Sequence, residues 1–191
     1  MNRKQNKRVK KGQYGYIKEE QRKTILRTIV FFLLSLAIYL TGYISTGTSK
    51  NLLTIVAVLG CLPASKSMVN MIMFLRVKEC SETAHQTISQ AAPACEGLYD
   101  MMFTTYEKTF QISHMVNSGR VLCGYTQDNK CDAAKCEAHL SQMLKQNSNK
   151  DITVKIFHDL KKYCERLEQI NQLEEREENA SVIQLLKEIS L

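Results

Sequence analysis

The sequence contains no tryptophan and only two prolines, so Pro63 and Pro93 are its only proline breaks. No glycine-rich phosphate loop occurs, which removes the P-loop and dinucleotide-binding classes. No G-x-S-x-G stands beside its serines, so the serine-hydrolase elbow is missing. No second C-x2-C pair accompanies its cysteines, as ordinary zinc frameworks require. There is no internal repeat. Net charge is missing as well over most of the chain. Arg3, Lys4, Lys7, Arg8, Lys10, Lys11, Lys18, Arg22 and Lys23, set against Glu19 and Glu20, account for the whole formal charge of +7. Beyond residue 23 the basic and acidic residues cancel, and a neutral domain has no electrostatic footprint for nucleic acid.

What is present is apolar length. Residues 28–46, TIVFFLLSLAIYLTGYIST, run without a charge. At about 1.5 Å per residue they cover roughly 28 Å, close to the hydrocarbon thickness of a bilayer. Tyr39 and Tyr43 suit the far interface. The basic and apolar stretches are both long, and no A-x-A-like site follows, which disfavours a cleaved signal peptide. GTSKN, residues 47–51, has turn chemistry, and residues 52–75 form a second apolar run with one charge, Lys66. The expected fold class is a membrane helical hairpin of two transmembrane helices plus a small soluble α+β domain. Its parts are a basic cytoplasmic tail over 1–23, the hairpin over 24–75 and the soluble domain over 76–191.

Lys66 is the anomaly of the second run. Only 14 uncharged residues precede it, which is short for a span. If the whole run crosses, Lys66 extends its stem towards the headgroups near Arg76 and Lys78, with Pro63 kinking the helix before it. Lys66 with Asn70, one turn on, is the intramembrane polar candidate. The plainer reading is a snorkelling lysine and an asparagine bonded to the neighbouring helix. The excess of basic residues before the first span places both termini in the cytoplasm. In the tail, Arg3, Lys4, Lys7, Arg8, Lys10 and Lys11 are the candidates for contact with anionic lipid headgroups, at about 1 kcal/mol each near the surface.

The soluble part reads as a helix over about 78–91, a short helix near 94–101 and then a β-hairpin. Phe110 and Ile112, extending to His114 and Val116, alternate on one strand, and Val121, Cys123 and Tyr125 on the next, with NSGR as the turn. A helix over 132–146, a strand over 152–157, a long amphipathic helix and a short closing helix follow. Three or four strands with helices on one face are expected. This order resembles the core of restriction-type nucleases. The VLCGYT strand has neither the acid nor the lysine that their metal chemistry uses.

The cysteines are expected to be reduced in a cytoplasmic domain, and six of them would form three disulfides in an exported one. Cys131-x4-Cys136-x2-His139 has a loose metal-ligand look, yet Cys136 falls on the buried stripe of its helix. Cys123, Cys164, His114, His139 and His158 supply the types that nucleophilic catalysis needs, without a local pattern. No catalytic residue, metal or cofactor is therefore assigned, and an enzyme is disfavoured.

YGYI in the tail, GCLPASKSMVNMIMF, TTYEKTF, GYT and ITVKIFHDLKKYCERL together resemble uncharacterised short two-span membrane proteins of anaerobic Gram-positive bacteria. Some of these carry a label likening them to O-linked N-acetylglucosamine transferases. The resemblance implies a bacterial plasma membrane. Residues 76–191, without repeats or a nucleotide-sugar site, are too few for that kind of transferase. The expected function is a membrane-anchored cytoplasmic binding or regulatory module, with lipid contacts and a homo-oligomer or protein partner through the C-terminal helices. The alternatives are a small membrane-bound transferase-like enzyme and an oligomeric transporter component using Lys66.

Overall fold

The computed structural model describes residues 9–48, 51–93, 97–147, 151–172 and 179–191. They form two compact units, Ile17–Lys78 and a second built from residues up to Tyr16 together with Glu79–Leu191. The expected headgroup contacts Arg3, Lys4, Lys7 and Arg8 lie outside the described residues, as does Cys95.

The first unit is a pair of helices, α1 (Tyr16–Thr46) and α2 (Leu52–Arg76), both long and apolar enough to cross a membrane. Asn51 builds the turn between them. Its side-chain oxygen caps α2 by accepting from the Thr54 N–H at 2.8 Å, while its amide nitrogen donates to Gly42 O and Thr48 O. The facing surfaces are made of small residues: Thr24, Thr28, Ser35 and Gly42 on α1, Ala57, Ala64 and Ser67 on α2. Small side chains allow close approach, and the Thr28 and Ser67 hydroxyls hydrogen-bond across the seam at 2.8 Å. Large apolar residues such as Ile29, Leu33, Leu36, Ile55 and Leu59 point outwards.

The second unit is a mixed four-stranded sheet in the order β1-β2-β3-β4, with β1 Leu98–Thr104, β2 Thr109–Ser118, β3 Val121–Tyr125 and β4 Thr153–Phe157. β1, β2 and β3 are antiparallel, and β4 joins β3 in parallel after the crossover helix α4 (Ala133–Gln146). Helices cover both faces rather than the expected one. α4 and α6 (Ala180–Ile189) pack on one side through Cys136, Leu140, Leu144, Val182 and Leu186. α3 (Glu82–Ala91) and α5 (Leu160–Gln172) pack on the other through Ala84, Ile88, Tyr163, Leu167 and Ile170.

Two further expectations fail here. The segment expected as a short helix near 94–101 contains the start of β1. LYDMMFT shows no clean alternation because both of its faces are covered, so it does not read as a strand. The expected alternation through Phe110, Ile112, His114 and Val116 also breaks. Phe110 and Ile112 enter the α4/α6 core, whereas Val116 enters the α3/α5 core and His114 bonds Tyr163 of α5. The switch occurs beside Asp100, whose φ of 55° puts a non-glycine residue in the left-handed region within β1. The ladder pairs Tyr99–His114 and Met101–Ile112 flank it, placing Asp100 opposite Ser113. Both strands change faces there together and the register is unchanged.

The outer edge of β1 is covered by both ends of the described chain. The Tyr99 N–H donates to Gly12 O at 2.8 Å, and the Leu191 N–H to Met102 O at 2.9 Å. At the opposite edge Glu137 of α4 takes the Ile156 N–H at 2.8 Å and pairs with Lys155 at 3.3 Å, which blunts β4.

Candidate functional site

The polar interior of the second unit gathers around the start of β1. Asp100 is only 4 % exposed. One carboxylate oxygen accepts the Cys80 N–H at 2.7 Å, and the other is buried with no hydrogen-bond partner among the described residues. Burial, reinforced by the charge of Glu79, pushes its carboxyl up to about 6. The Cys80 thiol beside it is pushed up to about 12, by burial first and then by the Asp100 charge.

A column of aromatic rings continues from there. Tyr14, from the segment before α1, stacks on His85 of α3 with centroids 4.0 Å apart and planes 6° apart. His85 meets Tyr99 edge-on at 4.9 Å, and Tyr99 meets His114 at 4.4 Å. His114 Nδ1 hydrogen-bonds the Tyr163 hydroxyl at 2.7 Å, and the Tyr163 ring stacks with Tyr125. The far edge of the His114 ring lies against Gly97, where any side chain would overlap it. Burial, with a smaller contribution from His85, holds the His114 imidazole down to about 3, so it stays neutral at ordinary pH.

The expected residues of the basic tail divide. Lys10 is exposed. Lys11 is drawn into the domain, where its ammonium donates to Ser190 O at 2.6 Å and burial lowers its pKa. Gly12, at φ 87°, comes so close to β1 that an added Cβ would meet Leu98 at 2.7 Å. Residues 9–16 are thus a strap on the domain, held by Gly12, Lys11 and Tyr14.

Lys66 and Asn70 are both exposed on α2 and point away from the seam. The contacts Gln21–Phe74, Thr28–Ser67, Ser35–Gly60 and Gly42–Leu53 fix the register of the helix pair. One residue beyond Ser67, Lys66 falls level with Ile29, just inside Arg27, where the charge-free run of α1 begins. Asn70 does not bond across the seam.

The described domain thiols are all buried. Burial raises Cys123 and Cys164, and a raised thiol is a poor nucleophile. The interaction between Cys131 and Cys136 holds the first thiol below its ordinary range and the second above it. They flank the Asp132 cap of α4 at the positions of a hydrophobic staple. His139 lies beside Phe110 instead. Among the described residues no group of three or more His, Cys, Asp or Glu is arranged to hold a metal ion. Sequence reasoning missed Asp100 altogether. Its signal was an acid inside the otherwise uncharged run LYDMMF. No family model, no curated protein and no solved structure matches the chain.

Proposed function

We propose that the protein is a membrane-anchored binding or regulatory module, with α1 and α2 as a two-span hairpin in the plasma membrane and the sheet domain on the cytoplasmic side. One observation carries the topology: residues 9–16, before α1, and residues 79–191, after α2, belong to one compact unit. A chain that leaves and re-enters the same folded unit crosses a bilayer an even number of times. The excess of basic residues before α1 then selects the cytoplasmic side.

On this reading Lys66 sits near the headgroup boundary, level with the end of α1's charged segment, and needs no conducting path. A transporter using Lys66 would require its outward face to meet another copy across water. Because the described domain cysteines are buried, reporters should be placed elsewhere. Tyr106, fully exposed at the β1–β2 turn, and Thr48, at the hairpin turn, serve as Tyr106→Cys and Thr48→Cys in a Cys61→Ser background. An impermeant maleimide is expected to label Thr48→Cys in intact cells and Tyr106→Cys only after lysis. Labelling of both reporters in intact cells would refute the two-span topology.

A further inference from the structure

Asp100 combines three features that each oppose folding. It holds a left-handed φ within a strand, it is almost fully buried, and one carboxylate oxygen has no hydrogen-bond partner among the described residues. Asparagine would tolerate the same φ and keep an acceptor for the Cys80 N–H without carrying a charge. A residue less favourable than its nearest isostere invites a role for its charge.

We infer that Asp100 is a proton-binding switch: uptake of one proton by its carboxyl removes a buried charge and tightens the joint between β1, the Glu79–Ser81 segment and the Gly12–Tyr14 strap. The groups around it come from every element that packs there. The segment before α3 contributes Glu79 and Cys80, β1 contributes Tyr99 and β2 contributes the neutral Ser113, while Tyr14 of the strap, His85 of α3 and His114 of β2 stand against the Tyr99 ring. Glu79 is the charge that bears on Asp100, and it favours the protonated form. The Cys80 N–H bond acts the other way and is outweighed by burial.

The sign follows from the raised value. The folded chain keeps this proton at a pH where the unfolded chain has lost it. The stabilisation is complete below the ordinary carboxyl range and is lost as pH rises through about 6. His114 works in the opposite sense, since its folded form refuses a proton that the unfolded chain accepts. The two slopes mask each other in the wild type, and a comparison with Asp100→Asn separates them. The inference concerns the sheet domain and holds whether or not the hairpin crosses a bilayer.

The experiment is equilibrium unfolding of the full chain in detergent micelles, wild type and Asp100→Asn, at pH 5 and pH 7.5. The ratio of their folding constants is expected to move about tenfold in favour of wild type at the lower pH. Amide exchange at Cys80 and Tyr99, corrected for its intrinsic rate, is expected to accelerate above pH 6 in wild type only. A ratio that does not change with pH would overturn the inference. Should Asp100→Asn fail to fold, carbon-13 titration of the five aspartates in wild type decides. One carboxyl with a midpoint near 6 supports the site, and all five titrating at or below about 4 removes it.

Discussion

The two units are packed on opposite plans. In the hairpin, threonine, serine, glycine and alanine face inwards while leucine, isoleucine, valine and phenylalanine face outwards. In the domain, Phe103, Met101, Ile112, Leu122, Leu140 and Tyr163 fill the interior, and Tyr106 is the only large apolar side chain exposed among the described residues. Water cannot reward the first arrangement, because burying small residues and exposing large ones leaves the hydrophobic effect unused. Lipid can, since apolar tails are as good a partner as leucine and association then rests on close packing and hydroxyl bonds. A single chain built on both plans is suited to two solvents.

The contrast can be broken most forcefully in the domain. Phe103→Ala removes a fully buried ring and is expected to cost about 3–5 kcal/mol in a denaturant melt, whereas Leu33→Ala, on the outward face of α1, should leave the same melt nearly unchanged. Equal losses from the two would show that the hairpin has an aqueous-type core.

In the hairpin the vulnerable positions are the small ones. Gly60 faces the Ser35 side chain, and a Cβ there would come within 2.9 Å of Oγ. Gly60→Leu should therefore cost about 1–3 kcal/mol of helix pairing, read as loss of a disulfide engineered between Thr24→Cys and Met71→Cys. The outward Leu59→Gly should keep that crosslink.

The domain also carries a pH signature at His114. With His114 held near 3, wild type is expected to lose about 2 kcal/mol at pH 5 from this group relative to neutral pH, because the unfolded imidazole takes a proton that the folded one cannot. That stability is present above the unfolded value and falls away as pH drops through it. His114→Phe should abolish this share of the acid sensitivity, measured as the pH slope of the melting midpoint. The smallest effect belongs to the seam bond: Thr28→Val should weaken pairing by about 0.6 kcal/mol in the same crosslinking assay.

Legibility in the sequence followed the same division. The two apolar runs could be read from their length, the β2–β3 hairpin from its NSGR turn, and α4, β4 and α5 because each shows one period against one core. β1 could not, since an apolar strand covered on both faces has no alternation and Asp100 interrupts even that. The face switch at Asp100 and Ser113 is tertiary: nothing in TFQISHMVNS says that His114 turns away from Ile112. The depth of Lys66 was out of reach for a different reason. Counting along α2 places it ten residues before Arg76, but the register with α1 sets it level with Ile29, and register depends on which small residues meet. The tail read as uniformly basic, while the turns at Gly12 and Gly15 that lay residues 9–16 on the domain depend on contacts made far along the chain.

The most direct test is a spin-label scan of the hairpin reconstituted in bilayers, with Cys61 replaced by serine. Single cysteines at Ile29, Leu33, Leu36, Leu40, Arg27 and Lys66 would be compared for collision with oxygen, which concentrates in lipid, and with a water-soluble nickel complex. The expected result is oxygen-dominated collision at Leu33, Leu36 and Leu40, with Arg27 and Lys66 matched at the boundary. Nickel access at Leu33 and Leu36, or Lys66 far deeper than Arg27, would contradict the two-solvent account.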